Sequence, residues 1–281
     1  HTLATLFPAY HFSSSAKIPF AFDVEDYHPG EKNDVDVVNE KARREYLMKQ
    51  MLPHAVYVSS ASQLISEHTA KLCGLSDDRL LTVANFFESS EFIPPAVIRE
   101  NKLRLVWFSQ NITAFRGLEL LFASWPRLQD ICTLTLIGLP DPGFVEHTLA
   151  QHRDVVIQYP LNQVDLHKLL AGFDIGLALE LASTDFNRRL ALTNKIIAYA
   201  QAGLYVLATD TPSQELFVKE NPFVGETVAQ DPEHLSESVM KLYDRKNEIR
   251  SQKQERYMSA RRLSWDVESE KLRKKWLEIL R

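Results

Sequence analysis

Only two cysteines, Cys73 and Cys132, occur in the chain, and they lie far apart. Two cysteines build neither a zinc site nor a disulfide framework, so the sequence points to a reducing, cytoplasmic setting. No apolar run approaches the ~20 residues that span a bilayer. Leu3 to Tyr10 is short and lacks a basic flank, so no cleavable signal pattern opens the chain. The Gly-x-Gly-x-x-Gly fingerprint of dinucleotide binding is absent. No aromatic–basic interleaving marks a nucleic-acid platform, and no second histidine is spaced as a metal ligand. Internal repeats and low-complexity stretches are missing as well. The sequence starts at His1 rather than methionine, which leaves open a fragment boundary or a cloning remnant at its start.

What is present is the composition of a soluble globular protein: 281 residues, 45% hydrophobic and 25% charged, long enough for two domains. The net charge of −5 hides an asymmetry. Residues 241–281 hold 13 Lys/Arg against 7 Asp/Glu, a net of +6, which leaves −11 for the preceding 240. A basic tail of this kind could meet nucleic acid or an anionic membrane surface. With no nucleic-acid platform beside it, it reads as a solvated helix face or a tail that docks on the acidic remainder of the chain.

Strands and helices alternate along the chain, as expected of parallel α/β domains. Ile18–Phe22 reads as a strand ending in Asp23-Val24-Glu25-Asp26-Tyr27-His28-Pro29-Gly30-Glu31. Four carboxylates and a histidine beyond a strand's C-terminal end occupy the usual ligand position of an open α/β sheet. His28, Asp26 or Asp23 could act as a general base or orient a sugar hydroxyl; a hydrophilic Pro-Gly turn is the plainer alternative. A charged helix over 39–52, a strand over 55–58, a Ser-capped helix over 63–73 stopped at Gly74, and a strand over 80–83 follow. Only about three strands fit before residue 90, so this half reads as an incomplete domain. Residues 89–101, with Pro94-Pro95, read as a linker.

A second α/β unit opens at Leu103–Phe108. Its first loop, Ser109 to Gly117, could cradle phosphate with Arg116 as the charge. Strands over 132–137, 155–157 and 175–179 and a helix over 163–171 follow. The loop from Glu180 to Leu192 leads into Thr193-Asn194-Lys195-Ile196-Ile197-Ala198-Tyr199-Ala200-Gln201-Ala202-Gly203. Thr193 or Asn194 can cap that helix, Gly203 can end it, and Leu204–Ala208 reads as a strand buried on both faces. A polar loop feeding a helix N-terminus beside such a strand is a natural anion site. Helices over 213–220 and 236–243 and a long, charged helical tail complete the pattern.

Taken together, these residues resemble a GT-B-fold glycosyltransferase of the large retaining family 4 kind. The resemblance rests on Arg116-Gly117-Leu118-Glu119, Leu134 to Gly138, Phe173-Asp174 before an apolar strand, Thr193-Asn194-Lys195 with Tyr199, Ala202-Gly203 and Val206, and Ser264-Trp265-Asp266. Asp23 to Glu31 resembles the acidic loop of some bacterial members, and residues 55–88 the closing segment of their first domain. The resemblance implies an α/β architecture of two Rossmann-like parallel-sheet domains facing a cleft, the first incomplete. Residues 1–100 would form a partial acceptor-side domain with its linker, and 101–281 the nucleotide-sugar-binding domain with its C-terminal helices.

The resemblance also implies a hexosyltransferase-type enzyme of bacterial surface polysaccharide synthesis. It would move a sugar from a nucleotide sugar to a saccharide or lipid-linked acceptor, with retention. No cofactor and no metal are expected, because Arg116, Asn194, Lys195 and helix amides would stabilise the departing diphosphate in a metal's place. Thr193 and Glu180 would complete the donor site, and Tyr159 and Leu161, with Pro160, would line the base pocket. The acceptor would bind near Asp23, Asp26 and His28. The protein is expected in the cytoplasm, without nucleic-acid partners, and peripheral contact with the inner membrane face stays open. The family's paired glutamates would fall at 190 and 198, where this chain has Leu190 and Ala198; Glu180 or Asp185 could substitute. Those departures keep two alternatives open: a non-catalytic GT-B-like module partnering another enzyme, and a nucleotide-sugar epimerase.

Overall fold

A computed structural model describes residues 2–32, 36–96 and 99–280. The chain forms two compact units. The first comprises residues up to 85 together with 182–192 and the C-terminal segment from 267; the second comprises 86–181 and 193–266.

The first unit holds a parallel three-stranded sheet in the order β1 (Phe22–Val24), β2 (Val58–Ser60), β3 (Leu80–Thr82). This is the short sheet expected before residue 90. β1 begins where its strand was expected to end. Phe22 pairs with Val58 and Val24 with Ser60, so the apolar alternation Phe22/Val24 faces inward and Asp23 outward. Asp23 therefore stands within β1 rather than beyond it. β2 likewise begins at the end of the strand expected over 55–58, and Ser59 and Ser60 belong to it; Ser62 alone caps the helix Gln63–Cys73. Its hydroxyl accepts from the Ile65 N–H at 3.2 Å and donates to the Leu190 carbonyl at 2.6 Å, and Gly74 ends the helix at φ 66°. The helices Leu6–Ala16 and Val37–Met51 precede β2. The buried core of this unit includes Phe22, Val24, Met48, Leu52, Val58, Ile65 and Leu190.

Two segments that sequence places with the second domain pack in this first unit. The short helix Phe186–Leu190, capped by Asp185 through the Arg188 N–H at 2.7 Å, inserts Leu190 into the core. The helix Trp265–Ile279 gives Glu268 to the Ala84 N–H at 2.9 Å and the Trp276 indole N–H to the Tyr57 hydroxyl at 2.8 Å. Both docks are long-range, so helical periodicity alone does not reveal them.

The second unit is a six-stranded, all-parallel sheet ordered β6-β5-β4-β7-β8-β9. Its strands are β4 (Leu103–Ile112), β5 (Cys132–Pro140), β6 (Val156–Gln158), β7 (Ile175–Ala178), β8 (Tyr205–Thr209) and β9 (Gly225–Val228). β4 runs four residues beyond its expected end, through a register irregularity between Phe108 and Asn111. β9, Gly-Glu-Thr-Val, is too polar to stand out in sequence and is held by pairing with β8. Leu105, Trp107, Leu134, Leu136, Leu177 and Leu207 form the centre of its core.

Part of the basic tail is absorbed here, in the helices Lys246–Ser251 and Lys253–Ala260. Arg250 donates Nε and Nη2 to the buried Asp174 at 2.9 and 2.7 Å, and Lys253 donates to the carbonyls of Ala171 and Phe173. Docking on the chain's own acceptors is thus what these cations do. Burial pushes the thiols of the half-buried Cys73 and the buried Cys132 up to about 12. Among the described residues, no helix is long and apolar enough to cross a membrane.

Candidate functional site

In a doubly wound parallel sheet the ligand crevice lies outside the carboxyl ends of the strands where their order reverses. In the second unit, that point falls between β4 and β7. Gly117, at φ 79°, ends the loop after β4, and a Cβ there would lie 2.6 Å from the Leu179 Cβ. Only glycine allows this approach, so the loop carrying Arg116 runs directly against the residue that follows β7. Arg116 is half-buried, and Phe115 beside it is exposed with φ 61°.

Glu180 follows Leu179 and is 1% exposed. Its backbone is clasped by the Thr209 hydroxyl, which accepts from the Glu180 N–H at 2.8 Å and donates to its carbonyl at 2.7 Å. Gln214 fixes that hydroxyl in turn through Nε2 at 3.1 Å. Lys195 comes from the first turn of the helix Asn194–Gln201, which starts between β7 and β8 in the chain. Its Nζ lies 2.5 Å from Glu180 Oε1 and 5.5 Å from the centre of the Trp107 ring. Two residues fifteen apart in sequence thus meet as a buried ion pair at the crevice.

The helix start departs from expectation in one respect. Thr193 takes the N-cap position with extended backbone, yet its side chain makes no capping bond. Its hydroxyl and the indole N–H of Trp107 are buried and without a hydrogen-bond partner among the described residues. A polar group left in that state costs about 1–3 kcal/mol. Asn194 is exposed at the helix's first position. Uncapped first-turn N–H groups with a nearby ammonium suit an anion.

The helix is fixed from below by Tyr199. Its ring lies so close to Gly176 of β7 that a Cβ there would sit 2.2 Å from the Tyr199 Cγ, and its hydroxyl accepts from the Phe108 N–H at 3.2 Å. Burial raises this phenol well above its ordinary pKa. Ala198 and Leu190 are both buried and apolar. Tyr159 and Leu161 lie just past edge strand β6, exposed, two strands from β4, or roughly 10 Å at the usual sheet spacing.

The acidic residues singled out near the N-terminus lie in the first unit, and the structure gives each a partner. Asp23 accepts from the Ser59 hydroxyl at 2.6 Å. Asp26 accepts from Asn187 Nδ2 at 2.7 Å, and Asn187 Oδ1 accepts from the Tyr27 N–H at 2.7 Å. His28 is buried with Nδ1 3.3 Å from Glu31 Oε2, and Arg44 donates to both Glu31 Oε2 and the His28 carbonyl at 2.7 Å. The hydrogen bond with His28, with help from the charges of His28 and Arg44, holds the Glu31 carboxyl below its ordinary value. Glu25, Asp26, His28, Glu31, Glu40 and Arg44 line a pocket of about 520 Å³.

Asp23 does not line this pocket; it faces Ser59 from within β1. Arg44 and Asn187 are site residues that sequence reasoning missed. The Glu40/Arg44 spacing was the one available signal for the first; Asn187 is brought in from 161 residues away, and no local pattern marks it. Burial, then the charges of Asp26 and Asp23, raise the carboxyl of Glu25. Among the described residues no group of three or more His, Cys, Asp or Glu side chains could hold a metal ion.

The sequence matches no protein-family model and no curated protein. Solved structures do resemble this one. The Anabaena protein HepE, solved in complex with UDP, superposes with a TM-score of 0.74 at 14% identity, over 99% of this chain and 77% of HepE. A glycosyltransferase from Rickettsia africae gives 0.67 at 13% identity, over 99% of this chain and 81% of the other. WaaG, a glycosyltransferase involved in lipopolysaccharide biosynthesis, gives 0.62 at 16% identity, over 85% of this chain and 67% of WaaG. The fold is that of the GT-B glycosyltransferases.

Proposed function

We propose that the protein is a glycosyltransferase that moves a sugar from a nucleotide-sugar donor to a saccharide or lipid-linked acceptor. The observation that carries this reading is the switch-point crevice of the second unit, where the Arg116-Gly117 loop, Glu180 and the Lys195 end of an uncapped helix converge. A nucleotide diphosphate brings about two negative charges, and helix amides with one or two cations can hold it. Arg116 has the planar fork that suits phosphate. In this reading Arg116, Thr193, Asn194 and Lys195 stabilise the departing diphosphate without a metal, and Tyr159 and Leu161 receive the base. Structures of the same fold were solved with UDP and with UDP-glucose, which supports a nucleotide-sugar donor.

The acceptor belongs in this reading to the first unit's pocket, where Asp26 and His28 orient a hydroxyl, with Asp23 and its Ser59 partner nearby. Retention of configuration, a role in bacterial surface polysaccharide synthesis and a cytoplasmic site with peripheral membrane contact extend the same proposal. It is tested by incubating the chain with a panel of nucleotide sugars and saccharide acceptors. Release of nucleoside diphosphate that requires an acceptor supports it; absence of transfer with every pair, in a chain that binds the donors, contradicts it.

One observation favours a second reading, a non-catalytic module that partners another enzyme. Leu190 and Ala198 stand, buried and apolar, where the resembling family has its paired glutamates. A stable co-purifying partner together with absence of transfer is the outcome that reading expects.

A further inference from the structure

The chain leaves the second unit after Leu181 and returns to it at Thr193; the residues between, 182–192, belong to the first unit. Glu180 and Lys195, which meet at the crevice, therefore stand at the two ends of a loop that is held elsewhere. The anchor of that loop is the helix Phe186–Leu190. Leu190 is 3% exposed within the first unit's core, and its carbonyl accepts from the Ser62 hydroxyl at 2.6 Å. Phe186 meets the rings of Tyr27 and His68 edge-on, with centres 6.0 and 5.4 Å away. Asn187 uses both ends of its amide: Nδ2 donates to Asp26 at 2.7 Å, and Oδ1 accepts from the Tyr27 N–H at 2.7 Å. The backbone of Gly30 lies against the same helix, so close that a Cβ there would sit 2.9 Å from the Asn187 nitrogen.

The helix Asn194–Gln201 does not fix its own start, because Thr193 makes no capping bond. Thr193 follows Leu190 by three residues, at most about 11 Å of extended chain. The place of Leu190 thus limits where Thr193, Asn194 and the first-turn amides can stand. Leu190 is the residue found where the resembling family has its first glutamate, and here it serves as an anchor. Resting on the donor-site reading above, we propose that Asn187 is a positioning residue for nucleotide binding. Through its bonds with Asp26 and the Tyr27 N–H, the first unit holds the helix Phe186–Leu190, and with it the start of the helix that carries Asn194 and Lys195. Asn187 acts through that helix start and not by touching the nucleotide.

Titration calorimetry of the full chain with UDP, GDP and ADP, well below its melting temperature, tests this. Asn187→Asp keeps an acceptor for the Tyr27 N–H but sets a second carboxylate against Asp26, and like charges repel. It is expected to weaken nucleotide binding by about threefold or more. Adding Asp26→Asn exchanges the two partners: the amide at position 26 donates to the carboxylate at position 187, and most of the lost affinity returns. An Asn187→Asp chain that binds nucleotide as tightly as the native one overturns the proposal, and so does a double variant that stays as weak as the single one. A role in stability alone lowers the melting temperature and leaves the affinity of the folded chain unchanged, which is the first of those two results. Should Asn187→Asp fail to fold, Asp26→Ala removes the acceptor of the Asn187 bond and Asp26→Asn keeps it. The alanine variant is then expected to bind nucleotide about threefold or more weakly than the asparagine variant, and equal affinities overturn the proposal. A native chain that binds no nucleotide contradicts the donor-site reading, and the proposal with it.

Discussion

Lys195 and Glu180 meet at 2.5 Å with both side chains almost wholly buried, joining the first turn of one helix to the segment that follows β7. A buried pair of this kind adds little net stability over apolar packing, while breaking it by removing one partner costs about 3–5 kcal/mol. Its value lies in placement. It brings a cation and a carboxylate to the point where the strand order of the second unit reverses.

Arg116→Ala is expected to weaken nucleotide binding about tenfold or more, the loss of charge-assisted hydrogen bonds worth about 1.5–3 kcal/mol. Because a cation is removed, the affinity also becomes less sensitive to salt. Calorimetry at two ionic strengths checks both outcomes.

Gly176→Ala is expected to destabilise the second unit by about 1–3 kcal/mol or more, since the new methyl would meet the Tyr199 ring inside van der Waals distance. Tyr199 sits in the middle of the helix that carries Lys195, so the same change is expected to weaken nucleotide binding. Urea denaturation and nucleotide titration of the variant measure the two effects.

Glu25→Gln is expected to stabilise the protein at pH 7 and to have no effect near pH 4. Burial and the neighbouring Asp26 and Asp23 raise the folded carboxyl above its ordinary value of 4.5. The unfolded chain therefore ionises first, and stability falls as pH rises from the unfolded value through the folded one. Removing the charge removes that loss. Melting temperatures of both chains from pH 4 to 7 give the comparison.

Local chemistry made much of the fold legible. Ser62 and Gly74 bracket their helix as their residue types require, and the apolar runs at 103–108, 132–137 and 175–179 fall within or nearly coincide with β4, β5 and β7. The positions where sequence reasoning failed depend on partners. β1 begins at Phe22 because its register against β2 buries Phe22 and Val24, which no local pattern shows. β9 is polar and exists by pairing with β8. The helix Phe186–Leu190 and the part of Trp265–Ile279 from Val267 on pack with the first unit, although their neighbours in the chain belong to the second. At the candidate site, sequence singled out Glu180 and Lys195 separately. Their pairing required β7 and the helix Asn194–Gln201 to lie side by side, and the Thr209 clasp came from the next strand.

The account stands most directly on whether the second unit's crevice binds a nucleotide. The measurement is the melting temperature of the chain across a panel of nucleoside diphosphates and nucleotide sugars. At one hundred times the dissociation constant a bound ligand adds about 2.7 kcal/mol, so at least one member is expected to raise the melting temperature by several degrees, and Arg116→Ala to reduce that rise. An unchanged melting temperature with every member of the panel would contradict the account.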